Sequence, residues 1–68
     1  MSNHTYEIKR IVGSSSEGSD SAVQNAVARA GEYSDKLRWF QVVETRGHIA
    51  EGKIAHWQVT VDVGYQSE

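Results

Sequence analysis

Trp39 and Gln58 carry the most pointed chemistry in this 68-residue sequence. Trp39 opens the run Trp39-Phe40-Gln41-Val42-Val43 and offers a flat, electron-rich ring. Gln58 lies inside an alternating run, Trp57-Gln58-Val59-Thr60-Val61, where its amide presents one acceptor and two donors in a plane. Stacking on an indole is worth on the order of 1–3 kcal/mol per ring, by analogy with nucleobases, and the amide suits the imide-like edge of a flat heterocycle. Each residue also has a simpler reading. Trp39 alone fits an anchor at a subunit contact, where tryptophan is enriched; Gln58 alone fits a solvated strand residue. Together they point to a planar aromatic ligand.

Other constellations carry less. Gly13-x4-Gly18 has the spacing of a phosphate loop, but Ser19-Asp20 follows where Lys-Ser/Thr is needed. His48 and His56 flank a hairpin turn without an obvious third ligand, and a structural metal site wants four; no metal is expected. Serine, histidine and carboxylates are present without a nucleophile elbow, and Glu32 and Asp35 read as solvated. No catalytic residue is assigned.

The elements that must position Trp39 and Gln58 follow from periodicity. Tyr6 to Val12 mixes β-formers with charges and alternates imperfectly, breaking at Arg10-Ile11; it reads as a strand. Gly13 to Gly18 reads as a turn into a helix, with Ser15 as the expected cap and Glu17 and Asp20 complementing the helix dipole. Ala22, Val23, Ala26, Val27, Ala30, Tyr33 or Ser34, and Leu37 then recur at three- and four-residue spacing, the signature of an amphipathic helix. Trp39 to Ile49 and Lys53 to Tyr65 read as two strands of a hairpin, with Gly52 supplying a positive φ. In the last strand Trp57, Val59, Val61, Val63 and Tyr65 share one face, and His56, Gln58, Thr60 and Asp62 the other. Phe40 and Val42 should join the apolar side, while Trp39 and Gln41 point away; a bulge is expected near Val43 to Thr45. One helix covers one face of such a sheet. The other carries Trp39, Gln41, Gln58 and Thr60, a composition suited to an interface or a planar-ligand site.

Size and charge bound the function. A chain this short buries only about 60% of its unfolded surface, and such chains usually add disulfides, a metal or partner subunits. There is no cysteine, which removes disulfides and thiol chemistry and fits a cytoplasmic location. Met1-Ser2-Asn3-His4-Thr5 lacks the basic and apolar regions of a signal peptide, and no apolar run approaches the roughly 20 residues of a membrane helix. Self-association is the expected source of the missing stability. Seven Lys+Arg against nine Asp+Glu, with no basic cluster, argue against nucleic-acid binding.

The segments YEIKRIVGSSSEGSDSAVQNAVARA, WFQVVETRGHI and AHWQVTVDVGY, with Trp39-Phe40, Glu44-Thr45-Arg46-Gly47, and Gln58 ahead of Val63-Gly64, resemble the dodecin family over nearly the whole chain. The resemblance implies one α+β domain over residues 1–68 with a β-α-β-β order, a three-stranded antiparallel sheet wrapped around one helix. It implies a homo-dodecamer forming a hollow shell, with pairs of flavins stacked between two symmetry-related tryptophans. The stacking tryptophan maps to Trp39, the glutamine at the pyrimidine edge to Gln58, and an arginine near the flavin side chain and phosphate to Arg46. Some members also bind coenzyme A, through positions matching Tyr6, Arg29 and Tyr33-Ser34-Asp35. Arg38 and Gln66 complete the candidate set. Several relatives carry an arginine where this chain has Gln66, so a cationic stacking partner for an adenine ring is absent there.

The expected function is therefore sequestration of FMN or riboflavin, without catalysis. A flavin-dependent enzyme would need an open ring face and a nearby acid or base. The remaining alternatives are a structural shell in which Trp39 is only an interface anchor, and a shell that binds coenzyme A with flavin secondary.

Overall fold

The last strand in the chain is the middle strand of the sheet. In a computed structural model, which describes residues 3–67, the elements are β1 (Tyr6–Ser15), α1 (Ser19–Ala30), β2 (Leu37–Ala50) and β3 (Lys53–Gln66). They form one antiparallel sheet in the order β1-β3-β2. The expected domain limits at 1 and 68, and the first two residues of the segment read for a leader, lie outside the described residues.

The core follows from two periodicities meeting. Val59, Val61 and Val63 alternate along β3 and are buried, and Ala22, Ala26 and Ala30, four apart, form the helix face above them. Small helix residues allow a close approach, and Gly13 allows more. A Cβ on Gly13 would press on the Ala22 carbonyl oxygen and lie 2.9 Å from Ala26 Cβ. That is why Gly13-Ser14-Ser15, expected as a turn, continues β1: its glycine admits the helix. The helix lies over β1 and β3 and scarcely reaches β2. Phe40 and Val42 do face the helix side, yet Phe40 stays 54% exposed.

Two helix boundaries differ from expectation. The helix ends at Ala30, not near Leu37. Gly31, Glu32 and Tyr33 donate backbone hydrogen bonds to Val27, Arg29 and Ala30 in a tightened last turn, and Leu37 begins β2, packing on the core from there. At the other end Ser15 is not the cap. Its hydroxyl accepts from the Glu17 amide at 3.0 Å, one turn too early, and Gly18 stands at the N-cap without a side-chain bond.

The β2–β3 turn has positive φ at both Glu51 (55°) and Gly52 (76°), the conformation whose twist suits a two-residue hairpin loop. The hairpin runs on past β1, whose last residue, Ser15, pairs with Trp57. It gives the chain an extent of 56 Å against 19 and 13 Å. This arm exposes Ile49 and Ile54. Each buried valine contributes roughly 1.5–3 kcal/mol against a backbone ordering cost of about 1–2 kcal/mol per residue. Three valines and three alanines make a small core, and much apolar surface remains uncovered.

Candidate functional site

The sheet face away from the helix is built in rows across β1, β3 and β2. Ile8, Gly64 and Trp39 form the first; Arg10, Asp62 and Gln41 the second; Val12, Thr60 and Glu44 the third; Ser14, Gln58 and Arg46 the fourth. His56 and His48 pair beyond them on the arm. Among the described residues no third metal-ligating side chain joins these histidines.

Trp39 and Arg46 are seven residues apart, an odd number, so in a regular strand they would point to opposite faces. The register slips between Val42 and Glu44, leaving Val43 as the extra residue. This is the bulge expected at Val43 to Thr45. It reverses the alternation and returns Arg46 to Trp39's face, directly opposite Gln58. Two further slips, at Leu37/Trp39 and His48/Ile49, leave Arg38 and Ala55 unpaired across the ladder.

Trp39 is 40% exposed, with its indole packed on the strand at Gly64. Gln58 is half-buried and Arg46 exposed. Neither makes a side-chain hydrogen bond among the described residues, so amide and guanidinium are both available to a ligand. Gln58 stands six residues along β3 from Gly64, roughly 20 Å at strand spacing. A fused three-ring system is too short to touch both Trp39 and Gln58 of one chain.

Between them lies an ion pair. Arg10 donates from Nε to Asp62 Oδ1 at 2.7 Å and from Nη2 to Oδ2 at 3.0 Å. The hydrogen bonds from Arg10 hold the Asp62 carboxyl below the usual carboxylate range, against the opposing effect of desolvation, and Asp62 is only 8% exposed. The same bonds raise Arg10.

The other candidate residues gather at the Trp39 end. Tyr6 opens β1 opposite Gln66. Gln66 Oε1 accepts from Arg38 Nε at 3.2 Å, and its Nε2 lies 2.9 Å from His4 Nδ1. Arg29 donates to Glu32 at 2.8 Å and reaches the Tyr33 hydroxyl at 3.5 Å. The Lys9 ammonium sits 4.1 Å from the centre of the Tyr33 ring. The Ser34 hydroxyl accepts from the Lys36 amide, and Asp35 is exposed. One end thus holds Trp39, Arg38, Gln66, Tyr6, Arg29, Tyr33, Ser34 and Asp35; the other holds Gln58 and Arg46.

The seat at Gly64, the Arg10–Asp62 pair and the Lys9–Tyr33 contact are not foreseen in the sequence. A glycine interrupting a cleanly alternating strand signals a close approach, and that signal was legible at Val63-Gly64-Tyr65. Arg10–Asp62 depends on β1 lying beside β3, and Lys9–Tyr33 on the turn after α1 returning to β1; no local pattern specifies either.

Comparison with known proteins gives a consistent picture. A family model described as Dodecin matches residues 5–68. The dodecin of Thermus thermophilus is 41% identical over 63 residues, covering 93% of this chain and 91% of that one. The solved dodecin from Streptomyces davaonensis is 51% identical with a TM-score of 0.92, covering 98% of each chain. That of Streptomyces coelicolor is 50% identical, also with a TM-score of 0.92, covering 100% of this chain and 97% of that one.

Proposed function

Because the chain belongs to the dodecin family, we propose that it binds and sequesters a flavin, FMN or riboflavin, in a closed homo-oligomeric shell and catalyses no reaction. The observation that carries this reading is that Trp39, Gln58 and Arg46 share the face the helix leaves bare. The donor set fits the ligand: an open indole face for the ring, and, without side-chain partners among the described residues, an amide for its pyrimidine edge and a guanidinium for a phosphate. When bound, the flavin supplies a light-absorbing ring whose excited state an adjacent electron-rich indole quenches.

Trp39 binds the ring and limits its photochemistry; Gln58 orients it; Arg46 holds the phosphate. With roughly 20 Å between Trp39 and Gln58, these tasks fall to different subunits, so the site is complete only in the assembly. Twelve subunits forming a shell would also cover Phe40, Val42, Ile49 and Ile54, which one chain leaves exposed. No helix among the described residues is long and apolar enough to cross a membrane.

A second ligand, coenzyme A, has support at the other group of residues. Lys9 and Arg29 flank the Tyr33 ring and form a cationic, aromatic patch suited to a phosphate-bearing nucleotide.

The test is a fluorescence titration of flavin with the purified apo-protein, alongside light scattering. Binding should quench flavin emission on a species near twelve subunits. Trp39→Ala should weaken binding by about 1–3 kcal/mol, about five- to a hundredfold, and restore emission to the flavin that still binds. A protein that leaves flavin emission unchanged, or a stable folded monomer at micromolar concentration, would refute the reading.

A further inference from the structure

Three glycines of this sheet have no room for a side chain, and one of them differs in kind. A Cβ on Gly13 would meet the Ala22 carbonyl oxygen, and a Cβ on Gly47 would lie 2.7 Å from the His56 carbonyl oxygen. In both places the obstacle is backbone, so glycine is required by the fold. For a Cβ on Gly64 the three nearest atoms all belong to Trp39. They are Cε2, Cζ2 and Cδ2 of that indole, with Cδ2 at 2.6 Å and the other two nearer. Gly64 does not have a positive φ, so its backbone conformation is open to alanine. The indole is the nearest obstacle.

The atoms involved show how the ring lies. Cδ2 and Cε2 are the ring-fusion carbons of an indole; they carry no hydrogen and are reached only from above or below the ring. A contact made first with them is a contact with the face. Trp39 therefore lies with one face against the β3 backbone and the other turned outward, beside Ile8 in the same row. Glycine in a strand interior weakens the strand, and here the compensation is a fixed ring plane rather than a packed core.

We infer that Gly64 is a positioning residue for ligand stacking: it seats the Trp39 indole flat on the central strand and leaves one ring face available to a flat heterocycle. The role of that heterocycle rests on the flavin reading above; the seat itself rests on the geometry. Each tryptophan then offers a single stacking surface in a plane set by the sheet. Alanine at position 64 would lift the ring by about an ångström or turn it about its side-chain torsions, since ordinary contact begins near 3.4 Å.

The experiment combines Gly64→Ala with Trp39→Ala. Gly64→Ala should keep the oligomer and the sheet, as read by light scattering and circular dichroism, and should weaken FMN binding about five- to a hundredfold, comparable with loss of the stacking surface. In the Trp39→Ala background the same substitution should change affinity no further, because the seat then has no occupant. A readout free of flavin is the emission of Trp39 alone in a Trp57→Phe background, which should shift when alanine replaces Gly64. Should Gly64→Ala fail to fold, removing the indole restores the space, so the double variant should fold. Wild-type affinity in Gly64→Ala, an equal loss in both backgrounds, or a double variant that also fails to fold would each overturn the inference. If wild-type protein binds no flavin, the flavin reading falls, and the Trp39 emission alone decides the seat: a shift supports it and no shift overturns it.

Discussion

Gln58→Leu separates ligand recognition from folding. The Gln58 side chain makes no hydrogen bond among the described residues and stands half-buried between Ser14 and Arg46. Replacing it with a side chain of similar bulk breaks no intrachain bond, and substitutions of that sort usually change stability by about 0.5 kcal/mol or less. A ligand edge that loses its partner while remaining buried costs about 1–3 kcal/mol, and each 1.4 kcal/mol is about tenfold in affinity. The variant should therefore melt close to wild type while binding riboflavin and FMN about five- to a hundredfold more weakly, with similar losses for both because the ring edge is common. Bound flavin should remain quenched, since Trp39 is untouched. Gln58→Glu should bind more weakly still, because it sets a carboxylate against carbonyl oxygens that want donors. Parallel titrations reading affinity and bound-state emission separately make the test. Equal affinities in all three proteins would reduce Gln58 to a solvated strand residue and refute the reasoning.

Arg46→Ala should weaken FMN by about 1.5–3 kcal/mol, the worth of a charge-assisted hydrogen bond, and riboflavin far less; equal losses would make its role structural. Gly13→Ala should destabilise the fold by about 1–3 kcal/mol through overpacking against Ala22 and Ala26, and a thermal melt no lower than wild type would contradict the close helix approach. The Arg10–Asp62 pair predicts an acid effect. Because the Asp62 carboxyl is depressed in the folded chain, the unfolded chain takes up its proton first as pH falls. Its stabilisation is complete above about pH 4 and is lost as pH drops through the lower folded value. Asp62→Asn should flatten stability against pH in that acid window, while unchanged acid melting would dismiss the pair.

The faces of this protein are legible in its sequence and its partnerships are not. Alternation in Val59-Thr60-Val61-Asp62-Val63 marks the buried side of β3, and the disturbance at Val43-Glu44-Thr45 marks the bulge, because both are local consequences of how a strand displays side chains. The helix end escapes because Tyr33 and Leu37 keep helical spacing while a tightened turn after Ala30 has already released the chain. Arg10 with Asp62 requires β1 to sit beside β3, a pairing between the two ends of the chain, and Lys9 with Tyr33 requires the turn after α1 to return to β1. The separation of Trp39 from Gln58 follows from the β2–β3 register instead: residue types suggest one pocket, while the hairpin pairing places them roughly 20 Å apart. That distance ties function to assembly. If one flavin needs the indole of one subunit and the amide of another, a lone chain has no complete site, and the ligand binds only the associated state. Flavin at free concentration c should then stabilise the shell by RT ln(1 + c/Kd), rising with the logarithm of its concentration above Kd, so recognition and oligomerisation are two readings of a single equilibrium.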